Sequence, residues 1–288
     1  MDQAQSLRRL AARKRSQKAG RKPLRTMAIT SGKGGVGKTN VVVNLALELA
    51  RLGRRVLVID ADLGLANVDV VLGLNPSFTI NDVINGDKTL DQVVVSGPRG
   101  VSILPAASGV AELVQLSQEE KMAILGELDS FETDADVVLI DTAAGISDMV
   151  LYFNTAAQDR MVVVTDEPTS LTDAYALIKI LHTRHQERRF RILVNNVPGA
   201  AQAKEVYRKL AVAADHFLGG LALDYLGFIP HDPHVNQAVI QQKALVELFP
   251  QSPAAQGFSK LAQNVLRLPE DESSGNIKFF WRRLVNMA

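Results

Sequence analysis

Short, uninterrupted apolar runs recur along the chain and alternate with longer amphipathic stretches. Val56 to Ile59, Val137 to Ile140 and Met161 to Val164 contain no polar residue. That is the pattern of strands covered on both faces of a parallel sheet. With weaker runs they predict strands at 24–30, 55–60, 101–105, 136–141, 160–165, 190–195 and 224–229. Helical periodicity falls between them at 38–52, 117–130, 170–186, 202–217 and 253–267. Such alternation predicts an α/β fold, a doubly wound and mostly parallel sheet with helices on both faces. A ligand then belongs at the carboxyl ends of the strands. No internal repeat is legible, and no second domain. Pro269 to Gly275 (PEDESSG) reads as a polar linker. The expected organisation is an arm at 1–25, a folded unit at 26–268, a linker at 269–275 and a terminal helix at 276–288.

The turn after the first strand carries the most specific chemistry. Residues 31 to 40 read SGKGGVGKTN, which satisfies G-x-x-x-x-G-K-[ST] with Gly32, Gly37, Lys38 and Thr39. Glycine-rich backbone at Gly32, Gly34, Gly35, Val36 and Gly37 can turn successive N–H groups toward a phosphate. Lys38 supplies a mobile charge for the outer phosphates, and the Thr39 hydroxyl is a Mg²⁺ ligand. Asn40 and the helix beyond it aim a positive dipole end at the same place. An additional lysine, Lys33, follows the first glycine. The segment is a nucleoside triphosphate site.

Two acidic segments extend it. VVLIDTAAG (137–145) is an apolar strand ending in Asp141, which can hold Mg²⁺ through its waters. VLVIDADLGLANVD (56–69) places Asp60 and Asp62 just beyond the second strand, where both can face the cleft. The competing reading is that one of them caps the next turn.

Composition narrows the class. The chain has 288 residues, 47% of them hydrophobic, which is enough for a substantial core. No run reaches the roughly 18 apolar residues of a spanning helix, and no signal segment opens the chain. There is no cysteine, which removes disulfides, thiolate nucleophiles and cysteine-held iron or zinc. The five histidines show no metal-ligand spacing. Charge is sharply segregated. Residues 1–25 hold nine basic groups against Asp2 alone, and 276–288 hold three against none. The body between them carries 20 basic and 30 acidic groups, so direct DNA binding by it is not expected.

KGGVGKT with Lys33, the DADLGLAN segment and the DTAAG strand together resemble the deviant Walker A ATPases of the MinD/ParA group, from about residue 25 to 268. The resemblance implies a P-loop NTPase fold of the MinD-like (SIMIBI) kind. It also implies a slow, Mg²⁺-dependent ATPase that cycles between ATP and ADP and forms a homodimer around two ATP molecules. Lys33 would reach the partner subunit's phosphates, while Lys38 and Thr39 act in cis. Asp62 matches the residue that orients the attacking water. A carboxylate is a weak base at neutral pH, so positioning is its expected contribution. Thr39, Asp60 and Asp141 would hold the metal. Asn195, Pro230 and Asp232 match positions near adenine. The absence of cysteine excludes the nitrogenase iron protein and the iron–sulfur scaffold branches.

The two ends separate the remaining branches. In GNIKFFWRRLVNMA, Ile277, Phe280, Trp281, Leu284 and Val285 recur at i, i+3, i+4, i+7 and i+8 with Lys278, Arg282 and Arg283 beside them. A basic helix with such a face suits an anionic membrane interface, and packing on its own domain is the alternative. At the other end Asp2, Gln3, Ala4, Leu7 and Arg8 are similar to the DQAxxLR motif of the FlhG (FleN/YlxH) family. In that family the motif activates the partner GTPase FlhF, with Gln3 as the group supplied. A merely solvated basic tail is the alternative there. The resemblance implies flagellar placement, with FlhF, flagellar C-ring proteins and a flagellar transcription activator as partners. The implied location is cytoplasmic, at the inner face of the membrane. Division-site MinD and a DNA-partitioning ATPase are the rival readings.

Overall fold

The structure, a computed structural model, describes residues 24–62, 67–79, 82–83, 85–105 and 134–269. Residues 1–23 of the expected arm, the helix at 117–130, most of the linker and the terminal helix at 276–288 lie outside the described residues. Leu24, by contrast, is buried and Arg25 opens the first strand, so the fold begins within the last two positions assigned to the arm. Among the described residues eight strands form one sheet: β1 (Arg25–Ser31), β2 (Val56–Ala61), β3 (Val95–Ser96), β4 (Ser102–Leu104), β5 (Val137–Ala144), β6 (Asp159–Val164), β7 (Arg189–Val197) and β8 (Ala222–Pro230). Their order is β3-β4-β2-β5-β1-β6-β7-β8. All pairings are parallel except β3 with β4. The two-residue β3 was not legible because it has too few positions to show a period.

The apolar runs behave as buried parallel strands should, sending alternate side chains to opposite faces. In β5, Val137 and Leu139 join the core under α1 (Lys38–Arg51), while Val138 and Ile140 join the core on the other side. One face is covered by α1 and by a C-terminal helix at Pro253–Leu266. The other carries helices at Asp148–Ala156, Pro168–His185 and Ala200–Leu218. In chain order the helices after α1 are α2 (Val68–Leu72), α3 (Leu90–Val93), α4 (Asp148–Ala156), α5 (Pro168–His185), α6 (Ala200–Leu218), α7 (His234–Ile240), α8 (Leu245–Leu248) and α9 (Pro253–Leu266). Helix α4 escaped the sequence reading because Val150, Leu151, Phe153 and Ala156 make it apolar nearly all round, which blurs helical periodicity.

The strand order positions the site. Chain connections run to opposite sides of β1, so the sheet's switch point lies there, and the phosphate loop is the turn that leaves it. Among the described residues no helix is long and apolar enough to cross a membrane.

Candidate functional site

The loop from Ser31 to Gly37 joins β1 to α1. Gly37 is the N-cap of α1 with φ +88°, and no side chain caps the helix, so its first N–H groups remain available to a ligand. Gly32 is required for a different reason. A Cβ there would lie 2.1 Å from the Asp173 carbonyl carbon and 2.5 Å from the Ala174 nitrogen, inside the backbone of α5. Lys38 is buried. Burial lowers its pKa, and the carboxylates of Asp141 and Asp62 raise it. That opposition is the signature of a cation held ready among acids.

Alternation along the strands brings the acids to the loop. Val56 and Val58 of β2 face α1, so Asp60 two residues on shares that side, and Asp141 follows Val137 and Leu139 likewise. The two aspartates are also direct register partners across β2 and β5. Asp141 is buried, and both its carboxylate oxygens lack a hydrogen-bond partner. Burial pushes its pKa up to about 7; the nearby Thr39 hydroxyl and Lys38 pull it down, and Asp60 and Asp62 add to the rise. Although Thr39 is near enough to offset the shift, it makes no hydrogen bond of good geometry with that carboxylate. An orphaned, buried carboxylate beside a helix N-terminal threonine fits the hydration shell of a hard divalent cation.

Asp60 has a second employment. Its Oδ1 accepts the Asp62 N–H at 3.1 Å, and its Oδ2 accepts the N–H groups of Asn67 at 3.0 Å and Val68 at 3.1 Å. It therefore does cap the following turn, holding the start of α2 at the cleft. Burial nonetheless pushes its pKa up to about 6 against those hydrogen bonds. Three of its roughly four acceptor sites face protein, which leaves one on Oδ1 for a cation or its water. Asp62 is half-buried, and among the described residues its carboxylate accepts no hydrogen bond.

Lys33 is held by its own chain. Its Nζ donates to Glu167 Oε2, forming an ion pair, and to Thr169 Oγ1 at 2.9 Å. These two partners were missed by sequence reasoning. The available signal was their place at the β6–α5 turn, a carboxyl end beside β1.

The expected base contacts surround a cavity of about 270 Å³ lined by Gly37, Asn40, Asn195, Pro230 and Asp232. Asn195 Nδ2 donates to the Val36 carbonyl at 2.7 Å. Since a carbonyl only accepts, the amide nitrogen must face the loop, and the acceptor Oδ1 remains unspent on a residue that lines the cavity. An acceptor there suits the exocyclic amino group of adenine and rejects the carbonyl of guanine. Asp232 is spent inward. Its carboxylate takes N–H groups from Ala254 and His234, both at 3.0 Å, and contacts His234 Nδ1 at 2.7 Å. Burial alone would raise its pKa, but the hydrogen bonds from Ala254, Ser252 and His234 prevail and hold it at about 2. It fastens the Pro230–His234 turn to α9 and offers the cavity no free carboxylate. His231, paired with Asn196 at 2.7 Å, joins this wall and was not anticipated.

Residues 23–266 match the ParA family model, described as NUBPL iron-transfer P-loop NTPase. The chain belongs to the ParA family of P-loop NTPases. With no cysteine in the sequence, it shares with that description the nucleotide-hydrolase fold and not cysteine-held iron. Its relatives place this ParA-family chain in the FlhG (FleN/YlxH) group. It is 49% identical over 264 residues to the antiactivator FleN of Pseudomonas aeruginosa, covering 91% of this chain and 94% of that one. It is 32% identical over 267 residues to the flagellum site-determining protein YlxH of Helicobacter pylori, covering 90% and 89%. Among solved structures it is similar to the septum site-determining protein MinD of Pyrococcus horikoshii complexed with Mg-ADP, with a TM-score of 0.66 and 26% identity. That alignment spans 85% of this chain and 96% of the other.

Proposed function

We propose that this chain is a Mg²⁺-dependent ATPase that regulates the number and placement of flagella. The 49% identity to FleN over nearly the whole of both proteins carries this reading, and the YlxH relationship points the same way. The test is a count of flagella per cell in a strain lacking the chain. An unaltered number and position would sink the proposal.

The chemistry follows from the residues described. Thr39 and Asp141 would hold Mg²⁺, which neutralises charge on the phosphates; the metal in the related MinD complex supports that role. Lys38 stabilises the outer phosphates in cis, and Asp62 aligns a water. Lys33 reaches the partner subunit's phosphates once released from Glu167, which ties dimerisation to ATP. Asn195 favours adenine.

The tails would turn this nucleotide state into output. Deleting residues 276–288 is expected to abolish co-sedimentation with anionic liposomes while sparing ATP affinity. Each of the five large apolar side chains contributes about 1.5–3 kcal/mol when fully buried, and each base about 1 kcal/mol near anionic lipid. Unchanged co-sedimentation refutes the membrane role. Gln3→Ala is expected to remove stimulation of GTP hydrolysis by FlhF, and an undiminished rate rejects that assignment. The name antiactivator favours a transcription activator among the partners, alongside flagellar C-ring proteins.

A further inference from the structure

A second cavity, larger than the one beside Asn195, lies far from the phosphate loop. About 490 Å³ in volume, it sits at the amino ends of β1, β6 and β7, the end of the sheet opposite the phosphate loop. Five arginines line it: Arg25, Arg160, Arg188, Arg189 and Arg191. Three carboxylates face them. Asp159 meets Arg25 at 3.4 Å and Arg191 at 2.7 Å, Glu187 meets Arg160 at 2.7 Å, and Asp224 meets Arg189 and Arg191 at 3.1 Å. Among the described residues the arginines of the cavity outnumber its carboxylates. Arg188 stands exposed on its rim, and among the described residues its guanidinium has no hydrogen-bond or ion-pair partner.

Both ends of the folded domain meet here, since Leu24 and Pro269 are part of the same lining. The exit of the chain is already fastened. Arg25 Nη2 donates to the carbonyls of Leu268 at 2.9 Å and Pro269 at 2.8 Å. The next residues in sequence are Glu270, Asp271 and Glu272. At a maximum of roughly 3.3–3.6 Å per residue, all three must fall within about 11 Å of Pro269. Three acids are therefore tethered at the mouth of an arginine-lined cavity whose own carboxylates are outnumbered. Exposed ion pairs are individually weak, but a tether this short replaces a bimolecular encounter with a high effective concentration.

We propose that the arginine cavity is a docking site for the chain's own acidic segment Glu270–Glu272, which clasps the root of the C-terminal extension to the base of the domain. The clasp gives the segment after it a fixed point of departure, beside the point where the N-terminal arm leaves. Its service to a membrane helix at 276–288 rests on the function proposed above. The clasp itself does not, and its test reads the clasp alone.

The absence of cysteine makes a single probe unambiguous. A spin label on Ser274→Cys in the full-length chain reports the mobility of the segment. The expected result is an immobilised population that is lost in Arg188→Glu and lost again in the combined variant Glu270→Gln, Asp271→Asn, Glu272→Gln. Molar salt should release it too, because screening then acts within about 3 Å. Pairing Arg188→Glu with Glu270→Lys should restore part of the immobilised population. ATP affinity and melting temperature should stay at parent values, since Arg188 is exposed and remote from the nucleotide. A probe still held in both charge variants overturns the proposal. So does release by removal of residues 1–22 alone, which would pair the acids with the basic arm instead. A probe already mobile in the parent also overturns it. If Arg188→Glu then weakens binding to phosphatidylserine vesicles, the cavity belongs to lipid headgroups.

Discussion

Lys38→Ala is expected to lower ATP turnover at saturating nucleotide by about 10²–10³-fold, the usual cost of removing one preorganised charge from a developing anion. The position explains the size. The Lys38 side chain is 9% exposed, and its nearest charges are the carboxylates of Asp141 and Asp62. Without Lys38 those acids would confront the triphosphate with no cis cation between them, in a site too dry to screen them. ATP affinity should fall as well, because the same charge serves bound and reacting states. Arginine is not a conservative replacement, since its planar fork cannot occupy the place of a compact ammonium. Phosphate release measured across an ATP titration checks this, and turnover within a few-fold of the parent would exclude Lys38 from the reaction.

Asp62→Ala should separate binding from hydrolysis. Turnover is expected to fall by about 10²-fold, the scale associated with losing the alignment of a reactant. ATP affinity should hold, because neither the loop nor the metal carboxylate Asp141 is touched. The backbone should hold too, since Asp60 is fastened by the Asp62 N–H and not by its side chain. With hydrolysis stalled, the variant should accumulate as an ATP-bound dimer. Light scattering reads this directly, and a monomer in saturating ATP would refute the role.

The sheet was legible because its strands are buried on both sides. Continuous apolar runs such as Val137 to Ile140 have few other places in a folded chain. Elements lacking a clear period were not legible. Helix α4 is apolar nearly all round, and β3 is two residues long. Of the site, the phosphate loop and the three aspartates could be named from local pattern. Asp60 was readable as a cleft residue, but its grip on the N–H groups of Asn67 and Val68 was not, because a carboxylate near a strand end serves either purpose.

The sequence by itself determined the phosphate loop, the charge placed in it and the side of the sheet to which its acids point. These are local properties, since a strand alternates every two residues and a glycine-rich turn closes on itself. Tertiary structure alone decided who meets whom. The pairing of Asp60 with Asp141, the hold of Glu167 on Lys33 across 134 residues and the turn of the Asn195 amide toward Val36 across 159 depend on strand order and register. So does the gathering of five arginines at the far end of the sheet, drawn from three strands and the turn before β7. Each joins chain segments whose spacing leaves no periodic trace, and packing of the whole sheet is what brings them together.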